Sequence, residues 1–189
     1  AFQSVLTALK TLEKTGAHFS NTLHTPLYFH ADAEYKKHRF TIDIVLDENL
    51  FASGSALRTK DGVEIADVAT LFAMKCACLV SRCSEKDLFD LLWFFEKRGI
   101  PTADDIITAG KKIDAGMTTE SVLTSLKGAI LREEACSFFL KNSFVTTKHI
   151  HRQIEDLRKK LIVLFTKHEK NMALPQDLNK NKKTVRALN

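Results

Sequence analysis

Glycine is scarce in this chain, and none of it is arranged as phosphate-binding chemistry usually arranges it. The seven glycines stand at positions 16, 54, 62, 99, 110, 116 and 128. None falls in a P-loop, in the turn of a dinucleotide-binding strand–helix unit, or in a nucleophile elbow. Cysteine is scarce as well, with only Cys76, Cys78, Cys83 and Cys136. Cys76 and Cys78 project from opposite sides of a helix, so they do not pair on a zinc ion as a CxxC motif does, and buried free thiols are expected. His149 and His151 face different ways and offer no metal pair. No apolar run approaches the roughly 20 residues that a membrane-spanning helix needs, so no membrane span is expected and no membrane is expected among the partners. The first twenty residues lack a basic segment leading into an apolar one, so no secretory signal is expected. Together with the free cysteines, this points to the cytoplasm. Internal repeats and Gly- or Ser-rich linkers are absent too.

The composition that remains is that of a globular chain, with 44% hydrophobic and 27% charged residues, enough for one good core or one core with an appendage. The net charge of +5 is unevenly spread: residues 148–189 hold eleven Lys or Arg against four Asp or Glu. Such a segment either meets nucleic-acid phosphates or forms a solvated helix with a frayed end.

In chain order, Phe2, Val5, Leu6, Leu9 and Leu12 recur at helical spacing over residues 1–15, ending near Gly16. Residues 23–30 and 38–47 read as two strands joined through the polar segment Ala-Asp-Ala-Glu-Tyr-Lys-Lys. The second alternates: Phe40, Ile42, Ile44 and Leu46 share one face, and Thr41, Asp43, Val45 and Asp47 share the other. A short third strand is expected near residues 62–65. From Asp67 onward the pattern is helical. Asp67 and Ser84 serve as N-caps, and Gly99 closes the second helix before Pro101. A third helix opens on Thr102-Ala-Asp-Asp105, a fourth at Thr118, a fifth spans about 132–140, and a last covers about 147–171. The expected class is α+β, a small sheet followed by a helical bundle: residues 1–66 carry the sheet, 67–171 the bundle, and 172–189 a flexible tail.

Residues 67–99, DVATLFAMKCACLVSRCSEKDLFDLLWFFEKRG, concentrate the side chains able to do chemistry. Residues 71–80 are almost wholly apolar, as in a helix buried on every side, yet Lys75 sits in their middle. A buried ammonium needs an anion or a path to water. Arg82 lies seven residues on, on the same face, giving a cationic stripe suited to phosphates or carboxylates. Asp87 and Asp90, three apart on the next helix, repel mildly unless a cation stands between them. Asp87 is also the third helical position of a capping box opened by Ser84. Asp43, on its strand, either offers the oxygen ligands that Mg²⁺ prefers or is simply a solvent-facing residue.

The spacing Lys75, Arg82, Lys86-Asp87, Asp90, with Asp67 at the helix entry, resembles the signature of the AbiEii/AbiGii-type nucleotidyltransferase family, which includes toxins of type IV toxin–antitoxin and abortive-infection systems. Lys86 stands where arginine is usual, and the likeness extends more loosely from residue 1 to about 139. The resemblance implies a nucleotidyltransferase-like fold, with an NTP as donor, an acceptor such as tRNA, an antitoxin protein as partner and Mg²⁺ as cofactor. It implies that Lys75 and Arg82 bind the nucleotide and that Lys75 and Asp87 are catalytic, Asp87 as base or orienter of the reacting hydroxyl. Asp43 would be a metal carboxylate and Asp90 a supporting residue. The basic last helix would add an electrostatic surface for RNA. The family's first motif, a Gly-Ser turn followed by an Asp-x-Asp pair, has no counterpart in these residues. The resemblance is therefore to an N-terminally incomplete or degenerate member, expected not to catalyse transfer. The other reading is a non-catalytic module that keeps the fold to bind nucleotide, nucleic acid or antitoxin.

Overall fold

The computed structural model describes residues 2–46, 54–139 and 145–173. The expected tail lies outside them beyond residue 173, as does Asp47. The fold is α+β, and it divides into two compact units, Ala1–Leu50 and Phe51–Asn189.

The first unit begins with helix α1 (Phe2–Lys14), followed by strands β1 (His18–His24), β2 (Tyr28–Tyr35) and β3 (His38–Val45). The strands form one antiparallel sheet in the order β1-β2-β3. Two features differ from the strand limits expected from sequence. Residues 23–30 are not one strand, because Pro26 stands at a turn in which Thr25 N–H donates to the Tyr28 carbonyl at 2.8 Å; a residue before proline is steered out of regular pairing. The polar stretch after His30 is not a connection either: residues 31–35 continue β2, and the turn is Lys36-Lys37 alone. Both lysines have positive φ, 48° and 67°, as a two-residue type I′ hairpin requires. The usual Asn-Gly signal is absent, so sequence placed the turn too early. The sheet's apolar face carries Phe29 and Ala31, with Ile42 and Ile44 beside them, and Leu6 and Leu9 of α1 cover it.

The second unit opens with a two-stranded ladder, β4 (Ala56–Arg58) and β5 (Glu64–Ala66), in which Leu57 pairs with Ile65. The expected division at residue 66 falls after this ladder, and the compact division at residue 50 falls before it. The ladder is tied to the next helix by Thr70, whose hydroxyl accepts from Ser55 N–H at 2.8 Å and donates to the Ser55 carbonyl at 3.2 Å. That helix is α2 (Val68–Ser81), and after it come α3 (Glu85–Arg98), α4 (Ala103–Gly110), α5 (Thr119–Gly128) and α6 (Thr147–Ala173). The fifth helix expected over 132–140 is a 3₁₀ turn, Glu134–Phe139.

One core joins the helices. It contains Cys76 and Leu79 of α2, Leu88 and Leu91 of α3, Leu126 of α5, and Ile154, Leu161 and Phe165 of α6. Each large apolar side chain buried there contributes about 1.5–3 kcal/mol. At the end of α4, Gly110 lets two backbones approach: a Cβ there would stand 3.3 Å from Ala77 N and inside the van der Waals radius of the buried Met117 sulfur. Among the described residues no helix is long and apolar enough to cross a membrane.

Candidate functional site

Asp67 caps α2, accepting from Thr70 N–H at 2.7 Å; that hydrogen bond holds its carboxyl below the usual carboxylate range. The helix turns Thr70, Ala73, Cys76, Ala77 and Leu79 inward. It is not sealed on every side as expected, since Leu71 is exposed and Lys75 keeps 23% of its side chain in contact with solvent. After Ser81 the helix stops abruptly. Arg82 leaves helical geometry, and Cys83 adopts a left-handed φ of 43°, its N–H donating to the Cys78 carbonyl at 2.8 Å. A buried cysteine in that region is strained by roughly 1–2 kcal/mol, so neighbouring contacts must hold it there. Ser84 then caps α3 in a capping box whose third residue is Asp87.

The contacts that hold the turn converge on Asp87, which is fully buried. Arg82 grips it with a two-pronged fork, Nε to Oδ2 at 2.7 Å and Nη2 to Oδ1 at 2.8 Å. Ser84 Oγ donates to Oδ2 at 2.6 Å, and Lys75 Nζ reaches Oδ1 at 3.2 Å. Lys75 Nζ lies still closer to Asp90 Oδ2, at 2.7 Å, and Asp90 is half-exposed. Sequence spacing thus becomes one alternating cluster, Arg82–Asp87–Lys75–Asp90, built across the tight α2–α3 turn. Capping and ion pairing of Asp87 are not rival explanations here, because one carboxylate does both.

Burial by itself would push the Asp87 carboxyl up. The hydrogen bonds from Arg82 and Ser84 and the charges of Arg82 and Lys75 outweigh it and hold the group far below the usual carboxylate range. Lys75 shows the mirror balance: desolvation lowers its pKa, Asp90 and then Asp87 raise it, and the net shift is upward. Among the described residues no buried side-chain nitrogen or oxygen is left without a hydrogen-bond partner.

Compared with protein-family models, curated proteins and solved structures, the chain matches none.

Chemically, the cluster holds two cations against two carboxylates, so at rest it presents little net charge. Arg82 is 61% exposed, and its Nη1 stays outside the Asp87 fork. Lys75 is held to its more exposed partner, Asp90, by a single contact. Asp87 has no exposed surface, and its contacts fix the directions of Arg82 and Lys75.

Asp43 belongs to the other unit, on the polar face of the three-stranded sheet. Its Oδ1 accepts from Tyr28 OH at 2.6 Å and lies 2.8 Å from His30 Nδ1. The hydrogen bond to Asp43 raises the Tyr28 pKa. His30 also approaches Asp32 Oδ1, at 3.9 Å. Sequence reading found Asp43 but missed Tyr28 and His30; their two-residue spacing on one strand face was the available signal, obscured by the misplaced strand limits. Among the described residues no three His, Cys, Asp or Glu side chains converge as ligands, and the Asp43 oxygen already serves two side chains. A third missed residue is Glu85, buried in the core, whose Oε1 accepts from Arg132 N–H at 2.7 Å and ties α3 to the segment before the 3₁₀ turn.

Proposed function

We propose that this chain is a nucleotidyltransferase-like protein of the AbiEii toxin class, working in the cytoplasm with an antitoxin protein as partner. Its helical unit binds the phosphates of an NTP. One observation carries this reading: Lys75 and Arg82 are brought to a single carboxylate, Asp87, that fixes their direction while leaving Arg82 exposed and Lys75 held to Asp90 by a single contact. Phosphate oxygens would replace Asp90 on Lys75 and add to Arg82 at Nη1, since guanidinium and ammonium groups bind phosphate as they bind carboxylate. Transfer to an acceptor such as tRNA, with Mg²⁺ assistance, belongs to a family member that carries the Asp-x-Asp pair. The non-catalytic binding module is the second reading, favoured by the engagement of both Asp87 oxygens within the cluster itself.

A nucleotide titration tests the phosphate site. Lys75→Ala should weaken ATP or GTP binding by at least 10-fold, and Asp90→Asn, which removes the competing anion, should strengthen it several-fold. Unchanged affinity in Lys75→Ala would reduce the cluster to a structural clasp. In the same preparation, labelled NTP with Mg²⁺ and tRNA should give no incorporation; measurable transfer would overturn the non-catalytic part.

A further inference from the structure

Among the described residues of the second unit, helix α6 is held from one side only. Ile150, Ile154, Leu157, Leu161 and Phe165 point into the core. Its flanks are also committed. Arg158 pairs with Glu155 at 2.9 Å and donates to the carbonyls of Leu126 and Ala129 at the end of α5. His168 bridges Asp104 of α4 and Thr119 of α5 at 2.9 and 3.1 Å. The opposite face holds Lys148, Arg152, Lys159, Lys160, Lys167 and Lys170, all exposed, against Asp156 and Glu169. Among the described residues none of these six cations has a carboxylate within 4.0 Å. The mostly buried Arg158 and His168 of α6 are paired with carboxylates; among the described residues the six exposed lysine and arginine side chains are not.

We infer that the outward face of α6 is a docking surface for the phosphate backbone of a nucleic-acid duplex. From Lys148 to Lys170 the row spans about 33 Å at the helical rise of 1.5 Å per residue, close to one turn of duplex at ~34 Å. Unpaired cations so arranged displace condensed counterions, and that drives backbone binding without reading sequence. Single strands are the poorer fit: they are held by stacking on aromatic rings, and the only Phe, Tyr or Trp of α6, Phe165, is fully buried. A membrane surface is disfavoured too, because the apolar face of α6 is already in the core and only Val163 and Met172 are large exposed hydrophobics on the helix.

The test is anisotropy of a fluorescein-labelled 20-base-pair duplex of mixed sequence, in RNA and DNA forms, titrated with the full chain between 50 and 200 mM KCl. With four phosphate contacts, log K should fall against log salt with a slope of about −3.6, a loss of roughly 100-fold over that range. The triple variant Arg152→Gln/Lys159→Gln/Lys167→Gln should flatten the slope by two to three and weaken binding at 50 mM at least 10-fold. Circular dichroism should be unchanged, since glutamine is as good a helix former as lysine. Removing the same charge elsewhere, with Lys10→Gln/Lys14→Gln/Lys60→Gln, should leave most of the slope. Four results would overturn the assignment: no binding at 50 mM, an unaltered slope in the α6 variant, an equal loss in the control variant, or preferential binding of a 20-nucleotide single strand or of phosphatidylserine vesicles. Duplex anisotropy reads α6 and nucleotide titration reads Lys75, so either can fail without the other.

Discussion

Asp87 concentrates more interactions than any other charged side chain described, and its removal should be felt in both stability and pH response. Breaking a fully buried ion pair costs about 3–5 kcal/mol; Arg82 reaches water and recovers part of this, so Asp87→Asn should cost about 2–3 kcal/mol by urea unfolding. The pH dependence is set by the direction of the shift. The folded-state carboxyl is depressed below its ordinary value of 3.8, so its contribution is complete above that value and lost as pH falls through the folded pKa. Wild type should lose stability progressively below about pH 4, and Asp87→Asn should lose much less over that window. Equal acid sensitivity in the two proteins would contradict the assigned charge state. At the alkaline end Lys75, whose pKa is raised above 10.5, contributes stability that is present below pH 10.5 and lost above it.

At the scale of elements, the helices were legible because their ends are written in side chains. Ser84 and Thr102 each accept from the backbone N–H three residues on, as their Ser-x-x-Asp and Thr-x-x-Asp spacings announce. The strands were less legible, because a hairpin with lysine at both positive-φ positions gives no local sign of turning. The same feature yields a prediction. Lys37, at φ 67°, sits where glycine is free of steric penalty, so Lys37→Gly should stabilise the first unit by about 0.5–1 kcal/mol. Tyr28 and Tyr35 both lie in that unit, so the urea midpoint of tyrosine fluorescence checks it; a lower midpoint would count against the turn geometry.

For the molecule as a whole, the two units differ sharply in what they bury. Among the described residues, three buried ones, Leu9, Phe29 and Ala31, anchor the core of the first, and nineteen that of the second. A unit of some 50 residues with so small a core is marginal on its own. Urea should therefore unfold it first, with the tyrosine midpoint below that of Trp93, the only tryptophan, which lies in the second unit. Coincident midpoints would show a single cooperative transition instead. All four cysteines also lie in the second unit, where burial pushes Cys76 up to about 12 and Cys83 to about 11.

By itself the sequence determined the α+β class, the caps of α2 to α5 and the grouping of Lys75, Arg82, Asp87 and Asp90, because periodicity, capping and one-turn spacing are local properties. Only the tertiary structure decided that Asp87 is buried with both oxygens engaged, that Tyr28 and His30 meet Asp43, and that the basic face of α6 has no carboxylate partners among the described residues. Those facts depend on which elements pack together and in what register, and no single stretch of chain contains that information.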